Sequence, residues 1–253
     1  MGQYNIVINT DMGESFGRFK LGNDEELMKY TTTANLACGF HGGDPTVMRN
    51  TVRLAKEYDI AVGAHPSFYD LRGFGRRMID ITPEEMTNDV LYQLGALEAF
   101  LKVEGMTMQH VFPHGMLDPL VSYKEEYGDA FLKTIMEYNP ELVIILEGKC
   151  PLYKKAKADG MKVAAFGAPD LKYDSEGNVV IERVKKAVDP AEVARQAVSI
   201  VKDHRLKTID GKEIELEADV LVFHGDAANS VEVLKKVREE FEKEGIDATE
   251  WQI

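Results

Sequence analysis

Short apolar runs alternate with longer amphipathic stretches along this 253-residue chain. The runs at 4–10, 33–38, 60–64, 108–112, 142–146, 162–166 and 219–223 are mostly continuous rather than alternating. Such runs read as parallel strands covered on both faces. Helix signals lie between them. Asp44-Pro45 and Asp189-Pro190 each set an N-cap before a proline at the first helical position. Thr82-Pro83-Glu84-Glu85 spells a capping box, and Met86, Val90, Leu94, Leu97 and Leu101 then recur on one helix face. Asn229-Ser230 is expected to open the last helix, and Gly105, Gly160 and Gly245 fall where helices should stop. Segments 173–180 and 208–216, the second with Asp210-Gly211 at its centre, read as β-hairpin decorations.

Seven βα units, with a candidate further strand at 246–251, predict an α/β fold. The expected architecture is an irregular (β/α)7-type, TIM-like barrel in one domain spanning 1–253, with an open doubly wound sheet as the alternative. Composition narrows the function. Lys plus Arg total 30 against 43 Asp plus Glu, a formal charge of −13, which argues against nucleic acid as a partner. Two cysteines, Cys38 and Cys150, make no disulfide framework. No apolar run approaches the roughly 20 residues of a membrane span. The N-terminus carries no signal-like core, so a cytoplasmic protein is expected.

The chemistry collects where the strands end. Asp11 and Glu14 follow the first run, His41 and Asp44 the second, His65 the third and His114 the fourth. Glu147 follows the fifth, Asp170 and Tyr173 the sixth, and His224 and Asp226 the seventh. Barrel active sites form at this end, because the βα loops converge there. Four of the six histidines occupy these loops, which points to general acid–base chemistry by Asp11, Glu14, His41, His65, His114, His224 and Asp226. The same side chains offer ligands for a divalent metal, drawn from Asp11, His41, His65, His114 and His224. Arg76, Arg77, Asp44, Asp170 and Tyr173 are candidates for substrate binding, the arginines through their guanidinium forks. His110 and His114 lie roughly 13 Å apart on a strand, too far to share a metal. Cys38 reads as a buried structural thiol and His204 as a surface residue. No P-loop for ATP is present.

Several motifs together carry a resemblance. They are Asp11-Met12-Gly13-Glu14-Ser15-Phe16-Gly17, the run from Asn35 to Thr46, Gly63-Ala64-His65-Pro66-Ser67, Gly73-Phe74-Gly75-Arg76-Arg77, Pro113-His114-Gly115 and His224-Gly225-Asp226. In this collinear set the chain resembles the LamB/YcsF family, whose bacterial members are the A component of ATP-dependent 5-oxoprolinase. The resemblance implies a barrel related to the glycoside hydrolase/deacetylase superfamily. It also implies hydrolysis of 5-oxo-L-proline to L-glutamate, with ATP used by a complex that includes subunits B and C. Phe112, Leu171 and Asp118 stand where the family pattern has lysine, arginine and tyrosine, as a divergent paralog would show. Two other readings remain open from the residues: a stand-alone metal-dependent deacetylase or amidohydrolase, and a non-catalytic binding protein. Each of the three is compatible with a homo-oligomer.

Overall fold

The computed structural model describes residues 4–182 and 184–251. Seven parallel strands close into a barrel: β1 (Tyr4–Met12), β2 (Thr33–Ala37), β3 (Ala61–His65), β4 (Met108–Val111), β5 (Val143–Leu146), β6 (Val163–Gly167) and a seventh, Val220–His224. Closure comes from β1, which pairs with β2 through Asn9–Met12 and with the seventh strand through Val7–Asp11. Closure excludes the open doubly wound sheet. The short strand Ile246–Ala248, expected at 246–251, pairs with Tyr4–Ile6 at the start of β1 and stands outside the ring.

Local signals explain the helices. A short helix, α1 (Asp24–Met28), follows β1; Asp44, Thr82 and Asp189 accept from backbone N–H groups of the first turns of α2 (Pro45–Glu57), α3 (Pro83–Glu104) and Pro190–Asp203. The capping box at Thr82 and Glu85 is complete. Gly105 and Gly245 close their helices in the left-handed conformation that only glycine adopts without strain. Asn229 opens the last helix, Ser230–Glu244, without capping it; its amide is spent on both backbone groups of Val188. After β4 come two helices, α4 (Leu117–Tyr123) and α5 (Glu125–Tyr138).

The hairpin expected at 208–216 forms, pairing Arg205–Lys207 with Glu213–Glu215. Segment 173–180 turns back on itself through one antiparallel bridge, Tyr173 to Val179, with Asp174 N–H donating to Asn178 and Val180 N–H to Lys172, while the Asp174 carboxylate accepts from Glu176 and Asn178 within the turn. Its continuation, 178–182, lies over the mouth of the barrel. No described helix is long and apolar enough to cross a membrane. Both cysteines are buried and free, and burial pushes the Cys38 thiol up to about 12.

Candidate active site

A cavity of about 380 Å³ opens at the carboxyl end of the barrel. It is lined by Asp11, His65, His114, His224, Arg76 and Lys185, by the apolar Phe112, Phe166 and Leu171, and by Asp118, Tyr123 and Glu147. A volume near 300 Å³ or more suits a small organic ligand.

Asp11 lies on β1 and is buried. Its Oδ1 accepts from Asn35 Nδ2 at 2.9 Å, and its Oδ2 is 3.4 Å from His65 Nε2 and 3.8 Å from His224 Nε2. Burial works to raise this carboxyl, but the charges and hydrogen bonds of its neighbours outweigh it and hold Asp11 well below the usual carboxylate range. Glu14 behaves oppositely. Burial, then the charges of Asp226 and Asp11, raise it well above its ordinary value, against Arg76 and Lys185. Its partner His41, 3.1 Å away, is held well below its ordinary value by burial and then by His65. Both shifts oppose charge separation across this contact.

His65 and His114 constrain each other's protons. His65 Nδ1 is 2.6 Å from the Phe112 carbonyl, and His114 Nε2 is 2.9 Å from the Phe74 carbonyl. Carbonyl oxygens only accept, so both of those ring nitrogens carry hydrogen. The remaining nitrogens, His65 Nε2 and His114 Nδ1, face each other at 2.9 Å. Two lone pairs repel at that distance, so a cation must sit between them. A shared proton answers this and leaves the pair positive beside Asp11. A metal ion is the other answer. Glu14, His41, His65 and His114 offer donor atoms all within 4.8 Å of one another, a set of three nitrogens and one oxygen suited to zinc or a similar ion. The outward hydrogen bonds to carbonyls are those a metal-bound imidazole makes. The residues thus fit a metal as well as a proton.

His224 is oriented differently. Asp170 accepts from both its backbone N–H, at 3.0 Å, and its Nδ1, at 3.1 Å. The ring is fixed by Asp170 through Nδ1, and Nε2 is turned toward Asp11 and the cavity. The charged wall is completed by Asp226, whose Oδ2 accepts from Arg76 at 2.8 Å and whose Oδ1 lies 3.1 Å from Lys185 Nζ.

The chain matches the LamB/YcsF family pattern over residues 6–252. This chain belongs to the LamB/YcsF family. It is 45% identical to the 5-oxoprolinase A component of Pyrococcus furiosus over 95% of each chain. It is 40% identical to that of Staphylococcus carnosus over 96% of this chain and 98% of the relative. The lactam utilization protein of Thermus thermophilus superposes with a TM-score of 0.89 at 38% identity, over 98% of this chain and 100% of that one. A family 4 carbohydrate esterase from Streptomyces lividans shares the fold, with a TM-score of 0.53 and 12% identity, over 99% of this chain and 94% of that one.

Within this LamB/YcsF chain, the residues singled out from sequence separate into two groups. Asp11, His65, His114, His224 and Arg76 line the cavity; Glu14, His41, Asp170 and Asp226 support them from behind. Arg77, Asp44 and Tyr173 do not reach this cavity. Arg77, its side chain 42% exposed, clasps Asp70 and pins the loop that holds Phe74 in a left-handed conformation at φ 56°. That strain turns the Phe74 carbonyl onto His114. Asp44 caps α2 and also accepts from Gly17. The Tyr173 hydroxyl oxygen accepts from Ala168 N–H and ties down the loop after β6. Sequence reasoning missed Lys185, which lies in a stretch without pattern, and Asn35, hidden in an apolar strand. It noted Glu147 only as the end of β5, although the polar residue after an apolar run was the very signal that marked the others. Phe112, Leu171 and Asp118 all line the cavity. Phe112 stacks on His65, with ring centroids 5.1 Å apart.

Proposed function

We propose that this chain is the lactam-hydrolysing subunit of a cytoplasmic, ATP-coupled 5-oxoprolinase, converting 5-oxo-L-proline to L-glutamate together with B and C partner subunits. The relatives' names support the reaction class. The single structural observation that carries the reading is His224, fixed by Asp170 and presenting its Nε2 to a small cavity lined by charged side chains. The chain has no P-loop. ATP then enters through the partners, where phosphorylating the amide would turn a poor electrophile into a good one.

On this reading His224 Nε2 takes the proton of a water molecule as it attacks the lactam carbonyl carbon, and Asp170 steadies the resulting imidazolium. The His65–His114 pair, whose facing nitrogens lie 2.9 Å apart, polarises the lactam carbonyl oxygen before it is phosphorylated. Lys185 and Arg76 draw the substrate carboxylate to their wall. Lys185 is suited to this because its contact with Asp226 is ionic and off-line for a hydrogen bond, leaving its N–H groups for a ligand. Glutamate formation from 5-oxoproline and ATP, with and without the partners, tests the proposal. Glutamate formed only with partners supports it. His224→Asn should lower turnover roughly 10²- to 10⁴-fold; unchanged turnover would sink the assignment.

A second reading, a metal-dependent amide hydrolase acting alone, is favoured by the four converging donors of Glu14, His41, His65 and His114. A divalent metal held there would polarise the amide carbonyl. Metal binding there would need the four donor atoms free of protons, so it would weaken as pH falls. Stoichiometric metal in the purified chain, with partner-independent activity lost to chelators, would replace the first reading with this one.

A further inference from the structure

The mechanism above leaves Asp118 and Glu147, which line the same cavity, unused. Glu147 follows β5 and is 6% exposed. Its Oε2 accepts from the Tyr123 hydroxyl, while its Oε1 is buried with no hydrogen-bond partner. Asp118, in the first turn of α4, is held by Ser122, whose hydroxyl donates to Oδ1 at 3.2 Å. Burial, then the charge of Glu147, push Asp118 up to about 7 against that hydrogen bond. Burial also raises Glu147, with Asp174 adding to it and Tyr123 and Lys149 opposing it. Lys149 itself is spent on Glu176 and Asn178. Among the described residues no basic side chain forms an ion pair with either acid. A half-buried and a buried carboxyl side by side, with a spare acceptor and no ion-pair partner among the described residues, are short of a hydrogen-bond donor or a positive charge.

The same cavity also carries groups of complementary character, since Lys185 and Arg76 line it as well. The cavity is thus bipolar, and its ligand should be too. Amide hydrolysis creates such a molecule. Water's oxygen joins the carbonyl carbon, the C–N bond breaks, and the nitrogen ends as a primary ammonium whose two new protons balance those lost by the water.

We propose that Asp118 and Glu147 form the subsite for the nitrogen end of the substrate, accepting the amide N–H before cleavage and holding the ammonium that cleavage creates. The identity of that nitrogen rests on the lactam-hydrolysis reading; the selectivity of the subsite for a cationic nitrogen does not. The test is calorimetric binding of two probes to the full chain at neutral pH: L-glutamate, and glutarate, which lacks only the ammonium. The wild-type protein should bind L-glutamate roughly 10- to 100-fold more tightly, the range for hydrogen bonds to charged groups. Asp118→Asn with Glu147→Gln should abolish the preference while keeping glutarate affinity, which also reports that the variant is folded. Equal affinity in the wild type, no binding of either probe, or a preference that survives the double substitution would overturn the proposal. A preserved preference without 5-oxoproline turnover in the partnered assay would overturn the proposed function and leave the subsite standing.

Discussion

His110 and His114 lie four residues apart in one run of chain, and the fold gives them unlike surroundings. His110, on β4, reaches across the barrel interior to strands that are not its neighbours: its Nε2 lies 2.7 Å from Asn35 Oδ1 on β2 and 3.2 Å from Asn9 Nδ2 on β1. Its ring fills the notch left by Gly63, on the strand beside it. His114, just past the strand end, is held by the Phe74 carbonyl and by His65 at the cavity wall. Both imidazoles are buried, and both are held below the ordinary histidine range, by burial first. Burial and a shifted proton affinity therefore do not separate a structural histidine from a functional one. The separation comes from what each partner does next. The His110 network ends on Asn35, which orients Asp11, whereas His114 lines the space a substrate would occupy.

The largest effect should come from exchanging the two losses. His114→Ala should cut turnover in the reconstituted complex by roughly 10²-fold or more, with the unfolding midpoint little changed. His110→Ala should cost about 3 kcal/mol of stability, from the cavity left behind and the stranded Asn35 carbonyl. Paired denaturation and turnover measurements decide it; two variants with the same profile would erase the distinction. Next in size is Gly63→Ala. A Cβ at Gly63 would sit 2.1 Å from His110 Cδ2, and the ring cannot step aside without leaving Asn35. Overpacking of that kind costs about 1–3 kcal/mol. Urea denaturation of Gly63→Ala, alone and with His110→Ala, checks the cause, because the second substitution should recover much of the loss from the first.

The same contrast shows what a reader of the sequence can and cannot see. The barrel was legible because buried parallel strands must be apolar throughout, and because Thr82, Asp44 and Asp189 announce their helices. The cavity wall was legible because a polar side chain directly after such a run has only the barrel mouth to occupy. His65, His114 and His224 follow that rule, whereas His41, three residues past its run, lies behind the cavity against Glu14. Side chains deeper in loops do not. Arg76 and Arg77 are adjacent, yet one meets Asp226 at the cavity and the other clasps Asp70 outside it. Their directions depend on Phe74 at φ 56° and Gly75 at φ 65°, and that turn is set by tertiary contacts. Lys185 was hidden for a related reason: a segment without periodicity gives no sign of what it will cover. Asn35 and His110 were hidden because a polar residue inside an apolar strand reads as an exception until its partner across the barrel is known.

The smallest effect concerns pH and separates the interior network from the rim by stability alone. Burial, then the charge on His65, bring His110 down to about 3, against Asp11. In the unfolded chain the same imidazole titrates near its ordinary value of 6.5. The folded-state value is depressed, so the contribution is intact above about pH 6.5 and is lost as pH falls toward 3, where the unfolded chain binds a proton that the folded chain refuses. The expected slope for one such histidine is about 1.4 kcal/mol per pH unit. His41 and His114 act in the same direction, so the wild-type slope between pH 6 and 5 should exceed that of His110→Gln by about one histidine's worth. Urea denaturation of both proteins across that range supplies the slopes. Parallel lines would mean that His110 takes up its proton without unfolding, and that the interior network is not the rigid support for Asp11 described above.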